Sequence, residues 1–263
     1  MIDIHCHILP NIDDGSQDPQ KSLEQLQVMA EGKIRRVYLT SHYFRGHYQY
    51  SRAEYDAKLE AFKGYIKPYL PNMELLPGFE VFVQPGIVED IIEHNLCLGD
   101  SRYVLIESEL NGLPPDFYEN VYPILRKGFR PILAHAERYV SIMKDPSEAQ
   151  KYMGQNIYIQ VNAGSLMGLY GEKVRETAIK LIEEGWVHFI ASDDHVRNDY
   201  HVYFMARSWI EENIDSYTAS LLTHDYPEMI SEGGKIPYSY VSVIKPKHSH
   251  RKRTFWQKLL SNG

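Results

Sequence analysis

The chain has 263 residues, 43% of them hydrophobic and 24% charged, with 28 basic against 35 acidic residues and a formal net charge of −7. That length suits one catalytic domain with a full core, and the acidic balance argues against general nucleic-acid binding. No stretch approaches the roughly 18 apolar residues of a membrane span, no secretory leader is readable, and two cysteines are too few for a disulfide framework, which sets the expectation of a cytoplasmic protein with reduced thiols.

Short apolar runs alternate with segments of helical period, so the chain reads as a series of βα units. The first strand is expected at 2–8, where His5 and His7 stand two residues apart and project to one face. The loop Asn11-Ile12-Asp13-Asp14-Gly15 follows. Ser16 or Asp18 can cap a helix that has Pro19 at its first position and Leu23, Leu26, Met29 and Ala30 on one face. A second strand at 34–42 ends in His42, and the next loop carries Tyr43, Phe44, Arg45 and Tyr48. Tyr55, Leu59, Phe62 and Ile66 mark a second helix. Strands at 74–82, 103–109 and 130–138 then bring Glu80, Glu107 and His135, with Arg138 three residues further on. A strand at 157–162 ends in Gln160-Val161-Asn162 without a metal-competent side chain, and a last one at 187–194 leads into Asp193 and His195, followed by Arg197. Helices are expected near 85–94, 116–127, 146–154, 172–185 and 203–213.

Such alternation fits either a doubly wound sheet or a closed barrel. An open sheet gathers its functional groups at a switch point, whereas a barrel collects them from nearly every strand at its C-terminal face. Here six of the seven expected strands end in a histidine or carboxylate, which points to the barrel. So many such residues on one rim would repel one another and lose hydration unless cations or dense hydrogen bonding compensated them. Nitrogen and oxygen donors without thiolate suit Zn²⁺, Mn²⁺ or Fe²⁺. Asp14 offers a ninth ligand, enough for three ions, and Glu80 is the natural bridge between two of them, a pair that can activate water. His47, His94, His188, His201, His224, His248 and His250 have no partner at metal spacing and read as surface, core or capping residues. A cysteine-phosphatase mechanism needs an arginine six positions after the nucleophile, where Cys6 has Ile12 and Cys97 has Tyr103.

The ordered set of His5-x-His7, His42, Glu80, Glu107, His135 and Asp193-x-His195 resembles the PHP (polymerase and histidinol phosphatase) superfamily. Over roughly residues 1–235, Met1-Ile2-Asp3-Ile4-His5-Cys6-His7, Asp13-Asp14-Gly15, Thr40-Ser41-His42, Gly78-Phe79-Glu80, Ala134-His135-Ala136-Glu137-Arg138-Tyr139 and Ala191-Ser192-Asp193 are similar to the bacterial manganese-dependent tyrosine-protein phosphatases that accompany capsular and extracellular polysaccharide operons. The resemblance implies a distorted (β/α)7 TIM-like barrel over 1–240 and three divalent ions, manganese first, with iron or zinc as alternatives. His5, His7, Glu80 and Asp193 would hold the first ion, Glu80, Glu107 and His135 the second, and Asp14, His42 and His195 the third, with Asp13 as the substitute for Asp14. Arg138 would clamp phosphate. The family's second arginine is missing at its usual spacing, and Arg197 or Arg45 would stand in.

The implied reaction is metal-dependent hydrolysis of phosphotyrosine on a protein, a bacterial tyrosine kinase of polysaccharide export. Tyr43, Phe44 and Tyr48 are the candidates to meet its phenyl ring. Two rivals keep the barrel: a phosphatase of a small ester such as histidinol phosphate, and an amidohydrolase, which Glu80, Glu107 and Arg138 fit less well. A third is a non-catalytic metal-stabilised scaffold. Residues 241–263 are expected as a flexible basic tail. Its Lys245, Lys247, Arg251, Lys252, Arg253 and Lys258 face no acid, and Phe255, Trp256, Leu259 and Leu260 offer an amphipathic contact with an anionic membrane or a partner. Oligomeric state is left open.

Overall fold

A computed structural model describes residues 1–238; the expected basic tail lies outside the described residues. Seven strands form one parallel sheet in chain order: β1 (Ile2–Cys6), β2 (Arg36–Tyr43), β3 (Glu74–Phe82), β4 (Tyr103–Glu107), β5 (Arg130–Leu133), β6 (Tyr158–Asn162) and β7 (Phe189–Ala191). The two outer strands meet. Cys6 pairs with Asp194, the His7 N–H donates to Asp194 O at 2.7 Å, and the Asp193 N–H donates to His5 O at 2.8 Å. The expected TIM-like (β/α)7 barrel is therefore present, nearly closed.

Helices α1 (Pro19–Glu31), α2 (Arg52–Ile66), α3 (Ile87–His94), α4 (Phe117–Arg126), α5 (Val140–Lys144), α6 (Ser147–Gly154), α7 (Ala163–Leu166), α8 (Glu172–Glu183), α9 (His201–Asn213), α10 (Ser216–Ser220) and α11 (Tyr226–Ser231) surround it. Of the two candidate caps for α1, Asp18 serves, accepting from the Gln20 N–H at 2.8 Å. Ser51 and Glu54 close a capping box on α2, whose Tyr55, Leu59, Phe62 and Ile66 are all buried. The short helices α5, α7, α10 and α11 lack the apolar period that revealed the longer ones.

The period of two along the strands decides what the barrel holds. Tyr38, Leu76, Tyr103, Leu105, Ile132, Ala134, Tyr158, Phe189 and Ala191 belong to one apolar cluster inside its lower half. The same parity, continued toward the C-terminal ends, yields His42, Glu80, Glu107, Gln160, Asn162 and Asp193. Three ligand candidates, on two strands, depart from this pattern. On β1 the register slips between Asp3 and Cys6, so that Ile4 joins the inner apolar cluster while His5 and His7 both still face the mouth. On β5 the strand ends early, because His135 takes a left-handed backbone at φ 36° and opens the turn Ala136–Arg138. Asp193, at φ 53°, likewise cuts β7 short of the expected 194.

The opposite end is sealed by the chain that follows α9. Leu221, Tyr226, Ile230 and Ile236 complete the inner cluster. Tyr158 donates its hydroxyl to Ile236 O at 2.7 Å, Tyr103 donates to Gly234 O at 3.0 Å, and buried His188 meets Tyr238 O at 3.0 Å. No helix among the described residues is long and apolar enough to cross a membrane.

Candidate metal centre

Five histidines and four carboxylates expected at the barrel mouth form one contiguous cluster. His5, His7, Glu80 and Asp193 lie together on the barrel axis, all buried. His5 Nε2 stands 3.2 Å from His7 Nε2, 3.2 Å from Glu80 Oε2 and 3.3 Å from Asp193 Oδ1. Donor atoms sharing one ion at bonds of about 2.1 Å stand about 3.0–3.4 Å apart, so the spacing is that of a coordination shell. Glu80 Oε2 is buried and makes no hydrogen bond, although nitrogens of His5, His7 and His42 each lie 3.2 Å away. An orphaned carboxylate oxygen facing three imidazoles is costly unless a cation takes its lone pairs.

Two further groups adjoin this one. Asp14 Oδ1, also without a hydrogen-bond partner, lies 3.3 Å from His42 Nε2 and 3.5 Å from His195 Nε2. His42 Nδ1 lies 3.0 Å from Glu107 Oε1, and His135 Nε2 lies 2.8 Å from Glu80 Oε1 and 3.8 Å from Glu107 Oε2. The compact groupings differ in detail from the expected division: His7 joins Asp14, His42 and His195, and His42 sits with Glu80 and Glu107 where His135 was expected.

The electrostatics favour cations. Burial alone would push His7 and His42 down, yet Asp13 holds His7 at about 10, and Asp14 and Glu107 hold His42 at about 12. Burial raises the Glu80 carboxyl, and the imidazoles of His5, His135 and His42 more than reverse it, leaving Glu80 well below the usual carboxylate range. Burial, then the neighbouring Glu80, raises Glu107. His195 falls to about 4, through burial and then the nearby His7.

A ring of polar residues holds the ligand candidates in place. Asp13, named as a substitute for Asp14, is fully engaged elsewhere. Its Oδ2 meets His7 Nδ1 at 2.9 Å and accepts from the His42 N–H at 2.9 Å, while Oδ1 accepts from the Gly15 N–H at 2.9 Å. That loop packs so closely that a Cβ on Gly15 would lie 2.1 Å from His7 O. Gln160 and Asn162, on the one strand without a ligand, contact His5, His135 and Asp193; sequence reading missed them because neutral amides are not metal donors of choice.

The three arginine candidates fare differently. Arg138 NH1 donates to Asp193 Oδ2 at 3.2 Å, and its guanidinium carbon stands 4.4 Å from the centroid of the Tyr170 ring. Arg197, 60% exposed, contacts Asp14 through both its main-chain carbonyl and Oδ2, the latter at 3.2 Å. Arg45 is bound elsewhere, gripping both oxygens of Asp90 and the carbonyls of Pro85 and Gly86 at the start of α3. Tyr43 is likewise committed, with its hydroxyl on Asp90 and its ring buried, and Phe44 stacks on Phe82. Of the three aromatic candidates, Tyr48 alone adjoins the cluster, stacked on His42 with centroids 5.4 Å apart. Cys6 and Cys97 are buried, and burial raises both thiols, Cys97 to about 11, which leaves no thiolate nucleophile.

Comparison with known proteins agrees with this geometry. The family model described as capsular polysaccharide synthesis, CpsB/CapC, matches residues 1–231. Tyrosine-protein phosphatase YwqE of Bacillus subtilis (strain 168) is 34% identical over 197 residues, 74% of this chain and 77% of that protein. Tyrosine-protein phosphatase CpsB of Streptococcus pneumoniae is 26% identical over 201 residues, 74% and 83% of the two chains. A crystal structure from work on YwqE of Bacillus subtilis and CpsB of Streptococcus pneumoniae, described there as metal-dependent tyrosine phosphatases, superposes with a TM-score of 0.82 at 29% identity, covering 92% of this chain and 100% of its own. Histidinol phosphate phosphatase of Lactococcus lactis, with a TM-score of 0.56 at 12% identity over 84% of this chain and 94% of its own, shares the fold.

Proposed function

The chain belongs to the CpsB/CapC family of capsular polysaccharide synthesis, and from that premise we propose that its barrel mouth carries out metal-dependent hydrolysis of phosphotyrosine on proteins. The observation that carries the reading is the orphaned Glu80 Oε2 among three imidazole nitrogens, beside an arginine anchored on Asp193. His5, His7, Glu80 and Asp193 would hold one divalent ion, Glu80, Glu107 and His135 a second, and Asp14, His42 and His195 a third. The donor set suits manganese, with iron or zinc as alternatives. Such ions, when bound, neutralise phosphate charge and activate water for attack on phosphorus.

The chain's own residues bind and orient. Arg138 spends one N–H on Asp193, which aims the guanidinium across the cluster, and keeps further donors for phosphate oxygens as charge grows on them. Arg197, against Asp14, is the second cation at the mouth, and Arg45 has no part in the reaction. A tyrosine phenol, with a pKa of about 10, departs as its anion far more readily than a serine alkoxide, so the reaction leans little on a general acid. The protein substrate we propose is a cytoplasmic tyrosine kinase of polysaccharide export.

The test is phosphate release from a phosphotyrosine peptide, a phosphoserine peptide and histidinol phosphate, with Mn²⁺ and with chelator. Release chiefly from phosphotyrosine, abolished by chelator and by His135→Ala, is expected, with Arg138→Ala lowering kcat/KM by about 10²–10³-fold. Release chiefly from histidinol phosphate would overturn the substrate and leave the site standing.

A further inference from the structure

β6 brings no ligand, yet its two interior amides touch three residues assigned here as ligands. Gln160 Oε1 accepts from the His135 N–H at 2.9 Å and lies 3.0 Å from His5 Nδ1. Gln160 Nε2 donates to Asn162 Oδ1 at 2.7 Å, and Asn162 Nδ2 donates to Asp193 Oδ2 at 2.7 Å. Both amides are completely buried.

The direction of this chain of hydrogen bonds is forced from its two ends. A backbone N–H can only donate, so the Gln160 atom that faces His135 is the oxygen. A carboxylate can only accept, so the Asn162 atom that faces Asp193 is the nitrogen. The bond between the amides must then run from Gln160 nitrogen to Asn162 oxygen. The proton between Gln160 and His5 must sit on His5 Nδ1, because Gln160 Oε1 has none to give. His5 is thereby fixed with Nδ1–H turned away and Nε2 turned toward Glu80, Asp193 and His7. The far end matters equally. Asp193 Oδ2, held by Asn162, is the same oxygen that anchors Arg138, which leaves Oδ1 to face His5 and His7.

We propose that Gln160 and Asn162 are positioning residues that orient the donor atoms of His5, His135 and Asp193, and that tie the posture of Arg138 to that of the metal ligands. The proposal rests on the ligand assignment above and deepens it. An ordinary buried amide pair would add to stability alone; this pair dictates which nitrogen of His5 meets a cation.

Gln160→Met keeps the volume and removes the amide, and Gln160→Glu restores an acceptor oxygen for His5 and His135. Titration of metal-free protein with Mn²⁺ is expected to show dissociation constants raised about 10–100-fold in Gln160→Met, with most of the affinity recovered in Gln160→Glu. In Zn²⁺-loaded protein, ¹⁵N imidazole spectra are expected to show a hydrogen-bonded, slowly exchanging His5 Nδ1–H in wild type and Gln160→Glu, and rapid exchange of that proton with solvent in Gln160→Met. If Gln160→Met does not fold, Asn162→Ala applies the test from the Asp193 end: weaker Mn²⁺ binding with the His5 signal retained. Wild-type affinity in the folded variants, or an unchanged His5 signal in Gln160→Met, would overturn the relay. Intact metal binding in His5→Ala and Asp193→Ala would instead sink the ligand assignment itself.

Discussion

Tyr48 is the side chain at which the proposed substrate preference can be tested without touching phosphorus. The tight turn from Phe44 to Tyr48 is pinned on one side by Phe44 against Phe82 and on the other by Arg45 on Asp90, and it lays the Tyr48 ring over His42. A phenyl ring whose phosphate sat at the cluster, as in the reaction proposed above, would meet this face. Stacking of that kind contributes about 0.5–1.5 kcal/mol, so Tyr48→Leu is expected to raise KM for a phosphotyrosine peptide about 2–10-fold. Inhibition by inorganic phosphate, which has no ring, is expected to stay at the wild-type level. An unchanged KM would remove Tyr48 from substrate contact. The residue scale is also where sequence reading divides most sharply. His5, His7, His42, Glu80, Glu107, His135, Asp193 and His195 stand out because ionisable side chains are rare at the ends of apolar runs. Arg45 sits closer to His42 in sequence than Tyr48 does, and only folding reveals that Asp90 claims it.

Among the elements, the clasp between β7 and the sealing segment carries a pH dependence of its own. His188, just before β7, accepts the Ile159 N–H at Nδ1 and presents Nε2 to Tyr238 O, and burial lowers its pKa to about 4. Unfolded, the same imidazole titrates near about 6.5, so between the two values the unfolded chain binds the extra proton. The contribution is therefore complete above about pH 6.5 and falls away as the pH drops toward 4, by about 3 kcal/mol across that window. His188→Asn keeps an acceptor for Ile159 and cannot be protonated. Denaturant unfolding at pH 7 and pH 4 is expected to show a smaller loss of stability in this variant than in wild type; an equal loss would show that His188 does not set the slope.

All seven strands and the longer helices are legible in the sequence because their side chains repeat with a period of two or of 3.6. The strand ends are not, because His135 and Asp193 leave the extended backbone for left-handed angles that no composition signals. Likewise the amides of Gln160 and Asn162 look neutral until the fold sets them between three charged or ionisable partners.

At the scale of the whole molecule, the ligand candidates stand at or just beyond the ends of six of the seven strands, β1 and β7 among them, with Asp14 in the loop after β1. Ions at the mouth would tie first strand to last and bind the folded state alone. At a free concentration 100 times the dissociation constant, that linkage adds about 2.7 kcal/mol, or about 5–10 °C in Tm for a chain of this size. Mn²⁺ is expected to raise Tm by that order and chelator to reverse it; a Tm indifferent to both would argue against ions bridging the strands.

The meeting of β1 with the residues after β7 also sets a schedule for the protein's own synthesis. His5 and His7 emerge from the ribosome before Asp193 and His195, separated by about 10–40 s of elongation. Throughout that interval the two leading histidines lack the neighbours that would complete the proposed site, so metal loading would belong to the closed barrel and not to the nascent chain.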